Sequence, residues 1–247
     1  KKNDIPKIGQ TVLILLSQSG ETKDLHRCIK IEKDNDLFLI GVVNVVDSLI
    51  ARETNCGCYL NAGREMAVAS TKSFTSQCIL LSMIAIWFAQ INDINSNKRL
   101  QYINDLRNLE QDVKNVLDNG EKYKIVATKL YEKNSIFILG KGNIEAIAKE
   151  ASLKIKEVTY IHAEGYSGSS LKHGPFGLLE ENFPVILVDP NDQFHSKMNN
   201  VYEEIKSRYA NIITITDDEK MERDNIILIP KNENYRDLIS IIPLQLL

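Results

Sequence analysis

The sequence predicts an α/β fold in which parallel strands alternate with crossover helices. Seven short apolar runs recur along the 247 residues, and segments with helical spacing lie between them. A polar stretch at residues 91–99 separates three of these runs from the other four. These observations predict two nucleotide-fold-like halves joined by helices, and spacing alone leaves one continuous sheet open as an alternative.

The strands are predicted from apolar runs of the length that suits buried parallel strands. In chain order the runs are Val12–Leu16, Leu37–Val43, Cys58–Leu60, Ser135–Leu139, Val185–Val188, Ile212–Thr216 and Ile226–Ile229. Four helices are predicted between them from apolar spacing and polar caps. These helices are Thr22–Lys33, Thr71–Gln90, Asn143–Glu157 and Phe194–Tyr209.

Two further segments are helical by their patterns. The longest apolar run, residues 78–89, is well short of the roughly 20 residues that span a bilayer, so it predicts a buried helix. From Leu100 to Val116 apolar residues recur every three or four positions, which predicts a long amphipathic connector that stops at Asn119-Gly120. We therefore predict a first domain at residues 1–120, which includes the connector, and a second at residues 121–247.

Composition and charge exclude several classes of function. The formal net charge of -3 and the scattered lysines provide no basic field for nucleic acid or an anionic membrane. The amino-terminal residues lack the apolar core of a signal peptide, and the four cysteines suit a reduced setting, so a cytoplasmic location is expected. Cys56 and Cys58 have no nearby His or Cys that would complete a zinc site, so no metal is predicted.

The first strand is followed directly by the hydroxyl-rich sequence Ser-Gln-Ser-Gly-Glu-Thr. In a doubly wound sheet ligands bind beyond the carboxyl ends of the strands, where the next helix presents free N–H groups. Ser17, Ser19 and Thr22 could surround an oxyanion there, with Gly20 allowing a tight turn. Taken alone, the stretch fits a plain helix cap better than a ligand site, and it matches neither a Walker loop nor a dinucleotide fingerprint.

A second hydroxyl-rich junction lies at residues 61–77, where Ser70, Thr71, Ser73 and Thr75 cluster at the start of the long apolar helix. Since the carboxyl ends of parallel strands share one edge of the sheet, two such loops can share one ligand.

Candidate catalytic groups concentrate in the second half. Lys154 and Glu157 are three residues apart on one predicted helix, so they project together near its carboxyl end. An ordinary solvated ion pair explains this spacing equally well, since Glu150 and Lys156 are close by. The functional alternative is a carboxylate base with an ammonium that stabilises an enolate oxygen. His173 precedes Gly174-Pro175, a turn context that suits an exposed proton donor.

Several motifs taken together resemble the isomerase part of the glucosamine-6-phosphate synthase family, the glutamine:fructose-6-phosphate amidotransferases. They are SQSGET, NAGREMAVASTKSFTSQ, SLKIKE, YIHAE, LKHGP and IPLQLL. They follow in the family's order over nearly the whole chain, which makes the resemblance far more specific than any single motif.

The resemblance implies two sugar-isomerase (SIS) subdomains with flavodoxin-like parallel sheets, and a fructose 6-phosphate site without cofactor. By position, the implied substrate-binding residues are Ser17, Gln18, Ser19, Thr22, Val68 and Ser70. Glu157 would carry a proton between carbons one and two, Lys154 would be its electrostatic partner, and His173 would open the sugar ring. In the family this histidine comes from the neighbouring subunit, which implies a homodimer.

The resemblance also implies hexosamine synthesis by a glutamine-fructose-6-phosphate transaminase (isomerizing), in which a glutaminase domain supplies ammonia to form glucosamine 6-phosphate. Against that pattern, the glutaminase domain, the first strand with its Cys-Gly-Thr-Ser loop, and the carboxyl-terminal lysine tail are not found in this sequence. The first SIS subdomain is therefore predicted to be incomplete at its N-terminal end. Near His173, Ser169-Ser170 stand where the family has Gly-Glu.

Two other classes of function remain as alternatives. SIS folds also serve as non-catalytic sugar-phosphate-binding regulatory modules, and a degenerate chain could act as a scaffold that contributes only a dimer surface. Retention of Lys154, Glu157 and His173 favours the enzyme, because a sensor needs phosphate loops but no base.

Overall fold

The computed structural model describes residues 9, 11–33, 35 and 37–247, without the side chains of Glu32 and Lys33. These residues belong to two compact units, Lys1–Trp87 and Phe88–Leu247. Compactness does not by itself define a folding domain, so the division into residues 1–120 and 121–247 stays a prediction.

The first unit is a small parallel sheet with helices on one face. Its elements are β1 (Val12–Ser17), α1 (Lys23–Lys33), β2 (Phe38–Val43), α2 (Leu49–Glu53), β3 (Cys56–Tyr59) and most of α3 (Lys72–Ile91). The strands are ordered β1-β2-β3, and the register pairs Ser17 with Val43 and Val43 with Tyr59. The loops that follow all three strands therefore leave the same edge of the sheet.

The burial of side chains alternates along β1 and shows which face of this sheet is covered. Leu15 is buried whereas Ile14 and Leu16 are exposed, as expected for a strand with side chains on alternate faces. The covered face packs Leu15 against Ile29 of α1 and Ile50 of α2. This core holds the carboxyl end of β1, where the first hydroxyl loop begins.

The second unit is larger and contains a five-stranded parallel sheet. It comprises α4 (Ser96–Leu117), α5 (Gly120–Leu130), β4 (Ser135–Gly140), α6 (Ile144–Thr159), β5 (His162–Ser167), 3-10 helices at Gly168–His173 and Pro175–Leu178, β6 (Pro184–Val188), α7 (His195–Lys206), β7 (Asn211–Thr216), β8 (Ile226–Leu228) and α8 (Arg236–Leu246). The strand order β5-β4-β6-β7-β8 is that of the flavodoxin-like doubly wound fold.

The predicted fold class is confirmed: the chain is α/β, and the part of it that the structure describes forms two separate parallel sheets rather than one continuous sheet. All seven predicted strands are present within about two residues. The sequence reading missed β5, whose residues HAEGYS form an edge strand with little apolar content. It also missed the short helix α2, helix α5, which begins where the connector was predicted to stop, and α8, which contains Pro243.

The expectation that residues 78–89 form a buried helix is wrong for this chain. Within α3 only Ser73 is buried, whereas Met83, Trp87 and Ile91 are 49%, 57% and 61% exposed. The helix carries apolar residues on all sides, so packing on one side leaves the others uncovered. By length and composition alone α3 could cross a membrane, a property that the core helices of soluble proteins share.

Helix α6 lies unusually close to the second sheet because glycines face it. A β-carbon added to Gly165 of β5 would lie 2.6 Å from the backbone of Ala148, and one added to Gly140 would lie 2.5 Å from the backbone oxygen of Ile144. The two strands therefore fix the position of α6, the helix that carries Lys154 and Glu157.

We expect Gly165→Ala to destabilise the protein by about 1–3 kcal/mol, because the added methyl group must displace helix backbone. Gly120→Ala is the control, since an added β-carbon there meets nothing within 4 Å. Denaturant unfolding of both variants measures the effect. Equal midpoints for the two variants would show that the close packing of α6 on the sheet is not required.

Candidate active site

The loop after β1 is organised by its own hydroxyl groups. Ser17 is buried. Its Oγ accepts a hydrogen bond from the Gly20 amide at 2.9 Å and lies 2.9 Å from the Thr22 Oγ1. Ser19 Oγ accepts from the Glu21 amide at 3.2 Å. The hydroxyl groups predicted to bind phosphate are thus brought together in one turn at the start of α1.

Gly20 is required by this turn for two reasons. Its φ is +68°, in the left-handed region that side chains disfavour, and an added β-carbon would lie 2.0 Å from the Ser48 Oγ. The Glu21 carboxylate accepts from the Leu49 amide at 2.9 Å, and Gly20 O accepts from the Ile50 amide at 3.0 Å. The turn therefore packs directly on the start of α2.

A second loop, residues 60–71, leaves the same edge after β3. The Leu60 amide extends the strand ladder by donating to Val43 O at 2.9 Å. The chain then turns away through Asn61 at φ 51° and Gly63 at φ 70°. Asn44, which directly follows β2, holds this turn: its Oδ1 accepts from the Ala62 amide at 3.0 Å and its Nδ2 donates to Gly63 O at 2.7 Å.

The far end of the second loop is held by Glu65. Its Oε1 accepts from the Ser73 amide at 2.8 Å, the Thr71 amide at 3.2 Å and the Ser70 hydroxyl at 3.3 Å. These groups are at the beginning of α3, so the carboxylate satisfies N–H groups that have no partner within the helix. Burial alone would raise the pKa of Glu65, but the hydrogen bonds from Ser73, Thr71 and Ser70 outweigh it and lower the pKa.

We expect Glu65→Ala to loosen the loop and to accelerate amide exchange at Thr71 and Ser73, because two donors lose their acceptor. Glu65→Gln should lie between Ala and wild type, since a neutral acceptor makes weaker hydrogen bonds. Hydrogen-exchange mass spectrometry over the start of α3 measures the effect. Unchanged exchange in Glu65→Ala would contradict the anchoring role.

The Glu65 carboxylate should make the stability of the second loop depend on pH. A carboxyl group whose pKa is lowered by folding stabilises the folded loop above its ordinary value of 4.5 and loses that effect as pH falls through the lower folded value. Protection of the Thr71 and Ser73 amides in wild type should thus be complete above pH 4.5 and should decline progressively as pH falls below 4.5. Glu65→Gln should show no acid-dependent loss over that range.

The predicted sugar-contacting residues of this loop have different surroundings. Val68 is 92% exposed, and Ser70 is half-buried through its hydrogen bond to Glu65. The first unit therefore brings the loop after β1 and the loop of Val68 and Ser70 to one sheet edge, with Asn44 between them.

In the second unit Lys154 is buried between two carboxylates. Its Nζ lies 3.0 Å from Glu157 Oε2 and 3.5 Å from Glu150 Oε1, and its side chain is 10% exposed compared with 30% for Glu157. An ordinary surface pair leaves both partners solvated. Here the ammonium is withdrawn from water while Glu157 stays accessible, which suits a carboxylate that exchanges protons with a ligand.

His173 is exposed and ends the 3-10 helix Gly168–His173. The adjacent Lys172 pairs with Glu204 of α7 at 2.6 Å, and Gly174 follows at φ 137°. Among the residues that the structure describes, no hydrogen bond or ion pair joins His173 to Lys154 or Glu157. An exposed histidine of this kind is available to a ligand or to another chain.

Sequence reasoning missed the roles of two residues and underestimated a third. Asn44 follows the second apolar run directly, as Ser17 follows the first, and this position was the available signal. Glu65 gave no signal, because it caps a helix that starts several residues later. Glu150 was weighed only as part of a surface ion pair, although its spacing of four residues from Lys154 places it on the same helix face.

Comparison with known proteins identifies the family of the chain. The SIS domain family matches residues 9–87 and 129–247. The chain is 47% identical over its full length to a mimivirus protein named "probable glutamine-fructose-6-phosphate aminotransferase (isomerizing)" and 38% identical over 96% of its length to the glutamine-fructose-6-phosphate aminotransferase of Chlorobaculum tepidum. It covers 41% and 39% of those two proteins, so it spans about two-fifths of their length.

A solved structure is similar over nearly the whole chain. It is the C-terminal domain of glucosamine-fructose-6-phosphate aminotransferase from Francisella tularensis, with a TM-score of 0.92 and 29% identity. The match covers 98% of this chain and 70% of that one.

Proposed function

The chain belongs to the SIS domain family, and on that premise we propose that it is the sugar-phosphate isomerase domain of a glutamine-dependent fructose-6-phosphate amidotransferase. The observation that carries this proposal is the buried Lys154 ammonium, 3.0 Å from the accessible Glu157 carboxylate. A module that only binds sugar phosphate needs no base, so binding alone does not require this pair. The relatives, named as aminotransferases of fructose 6-phosphate, support the same assignment.

The substrate phosphate is assigned to the loop after β1. Ser17, Gln18, Ser19 and Thr22 provide its polar groups, and the start of α1 adds N–H groups and a favourable dipole. Val68 and Ser70 on the second loop are assigned to the sugar.

The chemistry is assigned to the second unit. Glu157 takes a proton from carbon one of the open-chain ketose and returns one to carbon two, and the Lys154 ammonium stabilises the negative charge that develops on the enolate oxygen. His173 exchanges the proton that opens the sugar ring. These residues supply the base, the stabilising charge and the acid for ring opening, and the transfer of hydrogen from carbon one to carbon two needs no external oxidant or reductant.

The remaining assignments concern the whole protein. A glutaminase domain supplies the ammonia that converts fructose 6-phosphate to glucosamine 6-phosphate, and two copies pair so that His173 of one serves the site of the other. The exposed position of His173 is consistent with this arrangement. The protein is assigned to the cytoplasm, in agreement with its free cysteines.

The test is a calorimetric titration with fructose 6-phosphate followed by measurement of solvent hydrogen exchange at carbon one. Binding with exchange supports the isomerase, binding without exchange supports a regulatory module, and neither supports a scaffold. Fructose without phosphate is the control ligand, and Thr22→Val, which loses the hydroxyl group beside Ser17, is the control for phosphate binding.

A further inference from the structure

We propose that Asn44 is the positioning residue that fixes the second loop relative to the phosphate loop, so that the first unit binds a ketohexose phosphate more tightly than phosphate alone. This inference rests on the proposed function and adds to it a residue that determines specificity. Nothing in the proposed chemistry requires Asn44 to contact the substrate.

Asn44 makes hydrogen bonds to both loops. Its amide donates to Gln18 O in the phosphate loop at 3.3 Å. Its side chain donates to Gly63 O at 2.7 Å and accepts from the Ala62 amide at 3.0 Å. One residue thus joins the turn after β1 to the turn after β3.

The side chain replaces the strand ladder where that ladder ends. Pairing between β2 and β3 stops at the bond from Leu60 to Val43, and the left-handed residues Asn61 and Gly63 turn the chain away. The backbone groups of Ala62 and Gly63 then need a donor and an acceptor at the spacing of a peptide group. An asparagine amide provides both at once, whereas a carboxylate provides acceptors only.

Loss of this bridge should move the second loop without unfolding either loop. The phosphate loop keeps the hydrogen bond that the Gly20 amide donates to Ser17 and the one between Ser17 and Thr22, and the far end of the second loop stays anchored on Glu65. Residues that touch the sugar should therefore be misplaced while the phosphate subsite remains intact.

The discriminating variant is Asn44→Asp, which retains the size and the acceptor for Ala62 but places a carboxylate oxygen against Gly63 O. We expect affinity for fructose 6-phosphate to fall about 10- to 100-fold, because leaving the Gly63 carbonyl without a donor typically weakens an interaction by that factor. Affinity for inorganic phosphate should change less than about threefold. In the exchange reaction the rise in KM should exceed the fall in kcat.

Asn55→Asp is the matched control. The Asn55 Oδ1 accepts from the Leu39 amide at 2.7 Å, and a carboxylate retains that acceptor. We expect wild-type affinities for both ligands. Asn44→Ser, which is too short to reach Gly63 O, should behave as Asn44→Asp does and replaces that variant if the introduced charge prevents folding.

The test is calorimetry with fructose 6-phosphate and with inorganic phosphate on wild type and each variant. The unfolding midpoint of each variant shows whether it is folded. Equal loss of both ligands, or wild-type affinity for both, in the Asn44 variants would overturn the role of Asn44 while leaving the proposed function standing. A wild-type protein that binds inorganic phosphate but does not prefer fructose 6-phosphate would overturn both.

Discussion

Glu157→Gln is expected to slow solvent hydrogen exchange at carbon one of fructose 6-phosphate by about 10²–10⁴-fold, the usual contribution of a general base. Glutamine keeps the shape of the side chain and can still contact Lys154, whose Nζ lies 3.0 Å from the carboxylate. Affinity for the sugar phosphate should therefore be nearly unchanged. Single-turnover exchange and calorimetry separate the two effects.

A matched control is Glu203→Gln, the same chemical change at an exposed position of α7. It should exchange and bind as wild type does. If Glu157→Gln lost binding and exchange in equal proportion, the carboxylate would be a binding group rather than the base.

Lys154→Met is expected to reduce the exchange rate by about 10²–10³-fold, the usual effect of removing a group that stabilises a developing oxyanion. The change also leaves the Glu150 and Glu157 carboxylates together without the cation that lies between them. Both carboxylates are partly exposed, at 21% for Glu150 and 30% for Glu157, so water can compensate part of their charge. The unfolding midpoint should fall, but by less than the loss of about 3–5 kcal/mol that follows when a fully buried charge loses its partner.

Lys156→Met provides the comparison, because Lys156 is exposed on the same helix. It should retain both exchange and stability. Exchange by Lys154→Met at the wild-type rate, measured well below its unfolding temperature, would show that the ammonium is structural and does not act in the reaction.

The architecture could be predicted from sequence where apolar pattern and burial coincide. Strand β6 is buried along its whole length, and its run Val185–Val188 was found almost to the residue. Edge strand β5 was not found, because His162 and Glu164 remain partly exposed and break the apolar pattern. The apolar pattern also gave a wrong prediction for α3. It predicts burial from composition alone, and composition does not show whether the rest of the chain covers the helix.

The candidate site was predictable only in part, for a similar reason. Residues with a local signal were identified: Ser17 follows a strand directly, and Lys154 and Glu157 share a helix face. Asn44 and Glu65 act on backbone groups 18 and 8 residues away, respectively. No periodicity or turn preference connects such positions, so their partners could not be assigned from the sequence.

The sequence by itself determined the α/β class, the order of the predicted strands and helices, and the hydroxyl and charged residues that are candidates for a ligand site, because these depend on local periodicity and on residue chemistry. Tertiary structure alone decided that Lys154 is withdrawn from solvent while Glu157 stays accessible. It also decided that Asn44 joins the loops after two different strands. Burial and hydrogen bonding between distant segments depend on how strands and helices pack, and that packing is not encoded in any single stretch of chain.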